Sequence, residues 1–192
     1  MGVGDVVARG DAVVVVIDEQ ERLTAAMERR DAVIASTGRV VRAAALVGVP
    51  VIVTRQYPKG LGDLDPLLRD ALAAVEQRGT LSAVVDKVAF DCFAEPGFVH
   101  ALQTTGRAQL VIVGMETHIC VAQTALAATA RGLSVHVVAD ACCSRRDDDH
   151  EIALSRLARA GTTVTTSESV MYELVGAAGT DEFRALLGIV KE

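Results

Sequence analysis

Six short, apolar and mostly β-branched runs alternate along this chain with longer segments of helical periodicity. The first run, AVVVVI at residues 12–17, is apolar at every position, which is typical of a strand buried on both faces of a sheet. Strands are predicted at residues 12–17, 51–54, 81–85, 109–113, 133–138 and 162–165. Helices are predicted at residues 31–47, 66–77, 97–103, 118–131 and 149–160, with two short ones within 167–190. Such alternation predicts a parallel sheet covered by helices on both faces, and thus one three-layer α/β/α domain over residues 1–192.

Polar residues mark where several of these helices should begin. The dipeptide Asp-Pro at residues 65–66 predicts an N-cap followed by proline at the first helical position. Two further spacings, Asp148 with Glu151 and Thr165 with Glu168, predict capping boxes for the helices near the C-terminus.

Charge and cysteine content restrict the class of function. The formal net charge of the 192 residues is -6, which argues against a nucleic-acid partner because phosphate binding needs a basic surface. No apolar stretch approaches the roughly 20 residues of a membrane-spanning helix, and the N-terminus lacks the apolar core of a signal peptide. The four cysteines (Cys92, Cys120, Cys142 and Cys143) show no metal-ligand spacing. We therefore expect a cytoplasmic protein with reduced thiols and no membrane partner.

Three side chains suited to catalysis follow strands of the predicted sheet. Asp18 ends the first strand, Lys87 ends the third, and Cys120 opens the helix after the fourth. Ligands of open parallel sheets bind beyond the carboxyl ends of the strands, so these side chains should meet at one edge. An aspartate can take a thiol proton and a lysine can hold the charges in place. Amides at a helix N-terminus favour a thiolate and can bind an oxyanion, so the pattern predicts nucleophilic catalysis by Cys120.

Each of these residues also has an ordinary structural explanation. A lone cysteine before an alanine-rich helix is more often a buried small residue, Asp18 could cap a helix, and Lys87 could be a solvated surface residue. His118 lies two residues from Cys120, where helical side chains diverge, so we expect it to line a pocket. The acidic run at 147–149 is explained by a helix N-terminus without a metal ion.

Three long segments resemble the isochorismatase-like cysteine hydrolases. They are VVVVIDEQERL with Asp18, DKVAFDCF with Lys87, and VGMETHICVAQTALAATARGLSVHVVADA with Cys120. Two further segments, PVIVTRQYPKGLGDL and TTVTTSESVMYELVG, are similar to the isochorismatase-domain-containing branch of that family. The resemblance extends over nearly the whole chain, with the motifs in the order that the family has.

The resemblance implies a Rossmann-like, six-stranded parallel sheet of order 3-2-1-4-5-6 and an Asp-Lys-Cys triad. In this triad Asp18 is general base and then acid, Lys87 orients and stabilises the charges, and Cys120 attacks. It also implies a non-proline cis peptide at Met115–Glu116, with the amides of Glu116 and Cys120 forming the oxyanion hole.

The chain also departs from parts of the family. The nicotinamidase branch has a metal site built from Asp and His, whereas residues 54–57 here read TRQY without histidine, so we expect no catalytic metal and no cofactor. Members that cleave the vinyl ether of isochorismate often lack the cysteine, so Cys120 favours hydrolysis of a C–N bond through a thioester. Asp91, Cys142 and Cys143 stand where the related branch usually has serine, and Asp91 could change the charge preference of the pocket.

The first functional hypothesis is therefore an amidohydrolase that acts on a small amide or carbamoyl compound. Nearness in sequence to the three catalytic candidates selects the residues expected to bind the substrate. They are Gln20, Tyr57, Phe90 and His118.

Two other hypotheses stay open at this point. One is a weakly catalytic or non-catalytic binding protein that keeps the same fold. The other is a thiol redox sensor that pairs Cys120 with Cys92 or Cys142, which requires Cα atoms within about 7 Å. As partners we expect a small-molecule substrate and, from the resemblance, further copies of the chain in a dimer or larger homo-oligomer.

Overall fold

A computed structural model describes residues 6–191 of the chain. Its six strands form one parallel sheet in the order β3-β2-β1-β4-β5-β6, so the predicted sheet and its strand order are confirmed. The strands are β1 (Ala12–Ile17), β2 (Val51–Gln56), β3 (Leu81–Lys87), β4 (Gln109–Met115), β5 (Ser134–Cys143) and β6 (Thr163–Thr165).

Helices cover both faces of the sheet. They are α1 (Glu21–Thr24), α2 (Arg30–Leu46), α3 (Pro58–Leu61), α4 (Pro66–Gln77), α5 (Pro96–Thr105), α6 (Ala122–Ala130), α7 (Asp147–Arg159), α8 (Ser167–Val175) and α9 (Asp181–Val190). A 3-10 turn (Cys92–Ala94) precedes α5, and a π-helical turn (Thr117–Val121) precedes α6. Within residues 6–191, no helix combines the length and the apolar character that crossing a membrane requires.

Strand β1 lies at the centre because every one of its side chains can be buried. Its alternate residues enter two separate core layers, with Val14 in the layer under α2, α4 and α8, and Val15 in the layer under α5, α6 and α7. Helix α9 lies outside the first layer, where Leu186 contacts Ala43 of α2 and Met171 of α8. A strand that is apolar on both faces thus supports both outer layers.

The sheet continues further than the apolar runs predicted. Strands β2, β3, β4 and β5 each extend at least two residues beyond their predicted ends. Neighbouring strands hold these extensions through ladder pairs such as Gln56 with Lys87 and Met115 with Cys143. The hydropathy of one strand cannot reveal such pairing, because the hydrogen bonds belong to two strands.

One of the three predicted helix N-caps agrees with the structure, and two differ from it. Asp65 caps α4 by accepting a hydrogen bond from the Leu67 amide at 3.0 Å, as predicted. The capping box of Asp148 is wrong because α7 already begins one residue earlier, with an extended residue at its N-cap and no side-chain cap. Thr166, and not Thr165, caps α8 because Thr165 is still paired in β6.

The order in which strands are added to the sheet reverses at β1, which pairs with β2 on one side and with β4 on the other. The connections that leave these strands diverge to opposite sides of the sheet, and this leaves a crevice beyond their carboxyl ends. A functional site is therefore expected at the residues that follow β1 and β4.

Candidate active site

Asp18 follows β1 directly and has a left-handed backbone conformation with φ of 55°, which is uncommon outside glycine. Its amide donates to the Thr54 carbonyl at 3.2 Å, and its Oδ1 accepts a hydrogen bond from Thr54 Oγ1 at 2.7 Å. The other carboxylate oxygen lies 2.7 Å from Lys87 Nζ, and both side chains are fully buried. An unusual conformation that is fixed by several bonds is typical of a functional position.

Lys87 ends β3 and carries its ammonium group into the same buried space. Besides Asp18, its Nζ donates to Gln56 Oε1 at 2.6 Å and to the Ala89 carbonyl at 3.2 Å. These three acceptors match the three donors of an ammonium group. Burial lowers the pKa of Lys87, but the Asp18 carboxylate and the thiols of Cys120 and Cys92 raise it by more. The net pKa is raised, so Lys87 carries a positive charge.

The segment that leads to Cys120 begins where β4 approaches β1 closely. Gly114 has φ of 120°, and a Cβ atom there would lie 2.1 Å from the Ile17 carbonyl oxygen, so only glycine fits. The following Met115–Glu116 peptide is cis. The chain then enters the π-helical turn in which Cys120 lies, and the charges of Asp18 and Lys87 both act on its thiol.

The protonation of Cys120 differs from the expectation. A helix N-terminus predicts a thiolate, but burial and then the negative charge of Asp18 raise the pKa of the Cys120 thiol, and Lys87 offsets only part of this. The α-helix also begins two residues after the cysteine, at Ala122. Burial and the charge of Asp18 therefore oppose the expected stabilisation of a thiolate, and the raised pKa of Cys120 favours the protonated thiol.

Gln20 does not line a pocket, so that prediction is wrong. Its side chain is fully buried, and its Nε2 donates to the carbonyls of Gln56 at 3.1 Å and Gly62 at 2.8 Å. Its Oε1 accepts from the Gln56 amide at 2.6 Å. Gln20 therefore braces the residue that contacts Lys87, and all its polar atoms are used for this.

The other three residues predicted to bind substrate lie near the crevice in different settings. Tyr57 is half exposed and lines, together with Lys87, a cavity of about 300 Å³. Phe90 is half exposed on the loop after β3 and does not line that cavity. His118 is partly buried and hydrogen-bonds through Nδ1 to Ser144 Oγ at 2.9 Å.

Sequence reasoning missed two residues of this site, Thr54 and Gln56. Both come from the end of β2, and they hold the carboxylate of Asp18 and the ammonium of Lys87. The rule that selected the ends of β1, β3 and β4 would have found them if it had also been applied to β2.

The positions that depart from the related branch have structural roles here. Asp91 caps the 3-10 turn after it through a hydrogen bond of 2.9 Å. Cys92 is fully buried, and burial raises the pKa of its thiol to about 12. Cys142 and Cys143 are buried on opposite sides of the sheet, where each packs in a different core layer. All four cysteines are free thiols.

The fold and the edge of the sheet together define a class. This is an open-sheet α/β protein of hydrolase type, with a buried carboxylate–ammonium pair at the topological switch point and a cysteine thiol on which both charges act. A family model described as the Isochorismatase domain matches residues 12–169. The chain belongs to the isochorismatase family, whose members are hydrolases.

Individual relatives agree with this assignment. Isochorismatase domain-containing protein 1 of Salmo salar is 37% identical over 176 residues, which are 91% of this chain and 59% of that relative. The chain therefore spans less than two thirds of that relative's length. Among solved structures, the MAR1 ribonuclease of Caenorhabditis elegans has a TM-score of 0.86 at 30% identity, covering 97% of this chain and 92% of its own. The YcaC gene product of Escherichia coli, described as an octameric hydrolase of unknown specificity, has a TM-score of 0.81 at 25% identity, covering 96% and 90%.

Proposed function

We propose that this protein is a cysteine-dependent hydrolase that cleaves the C–N bond of a small amide or carbamoyl compound through a thioester. One observation carries the proposal: the Asp18 carboxylate lies 2.7 Å from the Lys87 ammonium group in a buried position, and both charges act on the buried Cys120 thiol. A nucleophile within hydrogen-bond reach of a base, with the base oriented by a third group, is the general arrangement of covalent catalysis.

Acylation begins when the Cys120 sulfur attacks the substrate carbonyl carbon and its proton passes to Asp18. The carbonyl oxygen becomes an oxyanion, which the amides of Glu116 and Cys120 bind. When the tetrahedral intermediate collapses, the C–N bond breaks and Asp18 gives the proton to the leaving nitrogen. The products of this step are an amine or ammonia and a thioester on Cys120.

Deacylation uses the same groups with water as the nucleophile. Asp18 takes a proton from water as the new C–O bond forms, and it returns that proton to the departing sulfur. Lys87 remains an ammonium group throughout, and its charge stabilises Asp18 whenever the carboxylate is ionised. The cycle restores the thiol and releases an acid.

The raised pKa of Cys120 fits proton transfer that accompanies attack. A free thiolate beside Asp18 would place two negative charges in a buried space, and burial is the first cause of the raised pKa. The proton therefore stays on sulfur until a substrate carbonyl is present. Asp18, the carboxylate whose charge raises the pKa of this thiol, accepts the proton as the sulfur attacks.

The solution assembly and location are part of the same proposal. The octameric YcaC neighbour supports a homo-oligomer, and a cytoplasmic location stays a prediction. RNA is not the substrate class we propose, although one neighbour is named a ribonuclease, because a net charge of -6 repels phosphate.

A second candidate, a binding protein with little or no turnover, is favoured by one observation. The same raised pKa that keeps Cys120 protonated also makes its sulfur a weaker nucleophile until a base removes the proton. Such a protein would bind a small amide without forming a thioester.

Mass spectrometry after rapid acid quenching separates the two candidates. Wild-type protein is incubated with a panel of small amides and ureides, and the peptide that contains Cys120 is examined for an acyl group while ammonia release is measured. Hydrolysis through a thioester predicts an adduct on Cys120 and loss of both signals in Cys120→Ala. The matched control is Cys143→Ser, which changes a buried cysteine outside the site and should keep both signals.

Two results would contradict the proposed hydrolase. Ammonia release at the wild-type rate by Cys120→Ala would show that the sulfur is not the nucleophile. Tight binding of an amide with neither adduct nor ammonia would favour the binding protein.

A further inference from the structure

Three consecutive residues that lead to the nucleophile are each bonded to one short segment that runs from the end of β5 into the first turn of α7. Glu116, Thr117 and His118 form the entry to the π-helical turn, and their partners lie within residues 144–150. The three contacts join Glu116 to Arg145, Thr117 to His150, and His118 to Ser144.

The contact of Glu116 is the strongest because it joins charged groups. Its Oε2 accepts hydrogen bonds from the Arg145 amide at 2.9 Å and from Arg145 Nε at 3.1 Å. The glutamate side chain is only 5% exposed, whereas the arginine side chain is 60% exposed. A buried carboxylate needs such partners, since an unpaired one would be costly.

The second contact lies deeper in the protein. Thr117 Oγ1 and His150 Nδ1 are 2.9 Å apart, and both residues are buried. Burial, and then the charge of Arg29, lower the pKa of His150, so its imidazole is neutral at neutral pH. A neutral imidazole can hold this hydrogen bond without a buried charge.

We infer that Arg145 and His150 are positioning residues that fix the turn from Glu116 to Cys120 in the geometry of an oxyanion hole. This inference rests on the proposed function, because an oxyanion hole is needed only if Cys120 attacks a carbonyl. Rotating the Glu116 amide away from Cys120 would disturb bonds on two successive residues, which are anchored to the loop after β5 and to α7. Such anchoring is what holds catalytic groups to the precision that they need.

Two reactions of the same sulfur separate positioning from a merely structural role. Acylation by p-nitrophenyl acetate forms an S–C bond, creates an oxyanion, and then breaks the bond to nitrophenolate while the thiol proton passes to Asp18. Alkylation by iodoacetamide forms an S–C bond and expels iodide, with no oxyanion. Loss of the oxyanion geometry should therefore slow the first reaction and leave the second unchanged.

The test compares both rates in Arg145→Ala and His150→Leu with those in the wild type. We expect acylation to slow by about 10- to 100-fold, as for a small misplacement of catalytic groups, with alkylation unchanged. Arg145→Lys keeps a positive charge beside Glu116 and should recover most of the lost rate. The matched control is Arg146→Ala, because the side chain of this exposed neighbour pairs with the equally exposed Asp148 at 3.9 Å, and its removal should change neither rate.

The inference is overturned if acylation and alkylation fall by the same factor, if neither changes, or if Arg146→Ala behaves like Arg145→Ala. A wild-type sulfur that is never acylated would refute the proposed function instead. Hydrogen–deuterium exchange of residues 114–121 then decides the inference without any substrate. Faster exchange in Arg145→Ala than in Arg146→Ala supports the positioning role, and equal exchange refutes it.

Discussion

Glu19 is a fully buried carboxyl group that should make the stability of this protein depend on pH. It follows Asp18, and its Oε1 accepts a hydrogen bond from Thr37 Oγ1 at 2.6 Å. Among the described residues no cation pairs with Glu19, and the negative charge of Asp65 also raises its pKa. Burial, which the Thr37 bond only partly offsets, raises the pKa of Glu19 from 4.5 to about 8. Folded protein therefore keeps a proton on Glu19 at neutral pH.

The sign of the effect follows from the protons bound in each state. Below pH 4.5, Glu19 is protonated in both the folded and the unfolded chain, so it costs nothing. As the pH rises from 4.5 to about 8, the unfolded chain loses this proton while the folded chain keeps it, so the free energy of unfolding falls. At about 1.4 kcal/mol for each pH unit, the loss approaches ~5 kcal/mol at pH 8 and ~3.5 kcal/mol at pH 7.

Replacing Glu19 with glutamine removes the titratable carboxyl group. The shape of the side chain is kept, and so is an oxygen atom that can accept the Thr37 hydrogen bond. Urea unfolding followed by circular dichroism at pH 5, 7 and 9 gives the free energy of unfolding of both proteins. We expect Glu19→Gln to lose several kcal/mol less than the wild type between pH 5 and 9. Glu76→Gln, which changes an exposed glutamate of α4, should leave the wild-type pH dependence intact. Parallel curves for the wild type and Glu19→Gln would refute the reasoning, as would absence of a protonated carboxyl band for Glu19 in infrared difference spectra at pH 7.

Three further changes have expected outcomes. Gly114→Ala places a Cβ atom 2.1 Å from the Ile17 carbonyl oxygen, so it should cost about 3 kcal/mol or more; a thermal denaturation midpoint equal to that of the wild type would contradict this. Asp65→Ala removes the cap of α4 and leaves Arg30 without its buried partner. Chemical denaturation should therefore show a free energy of unfolding lower by roughly 2–4 kcal/mol. An unchanged free energy of unfolding would contradict this. The pH profile of Cys120 alkylation should move to lower pH in Asp18→Asn, because that carboxylate raises the pKa of the thiol; movement to higher pH would show that the sign is wrong.

The sequence was sufficient for the sheet and for the three central residues of the site. The rule that active groups follow strand ends placed Asp18, Lys87 and Cys120 at one edge of the sheet, where the structure pairs Asp18 with Lys87 and both charges act on the Cys120 thiol. Sequence reasoning could not predict the role of Gln20, because the loop after β2 covers that side chain only in the folded structure. Position along the chain does not tell which polar side chain faces a cavity.

The protonation of Cys120 shows a second limit of sequence reasoning. A helix N-terminus is visible in the sequence, and its dipole favours a thiolate. The opposing effects are burial and the charge of Asp18, and both depend on contacts made across the sheet. Their sum has the opposite sign, and only the three-dimensional arrangement gives their relative size.

The adjacent carboxyl groups of Asp18 and Glu19 show how the same edge of the sheet sustains two different electrostatic states. Asp18 has the Lys87 ammonium group at 2.7 Å. Glu19 has a hydroxyl group as its partner, and burial keeps it protonated at neutral pH. Two adjacent carboxyl groups at the end of β1 thus enter different environments, one beside a cation and one beside a neutral hydroxyl group. This difference depends on contacts made across the fold, so it cannot be read from their positions along the chain.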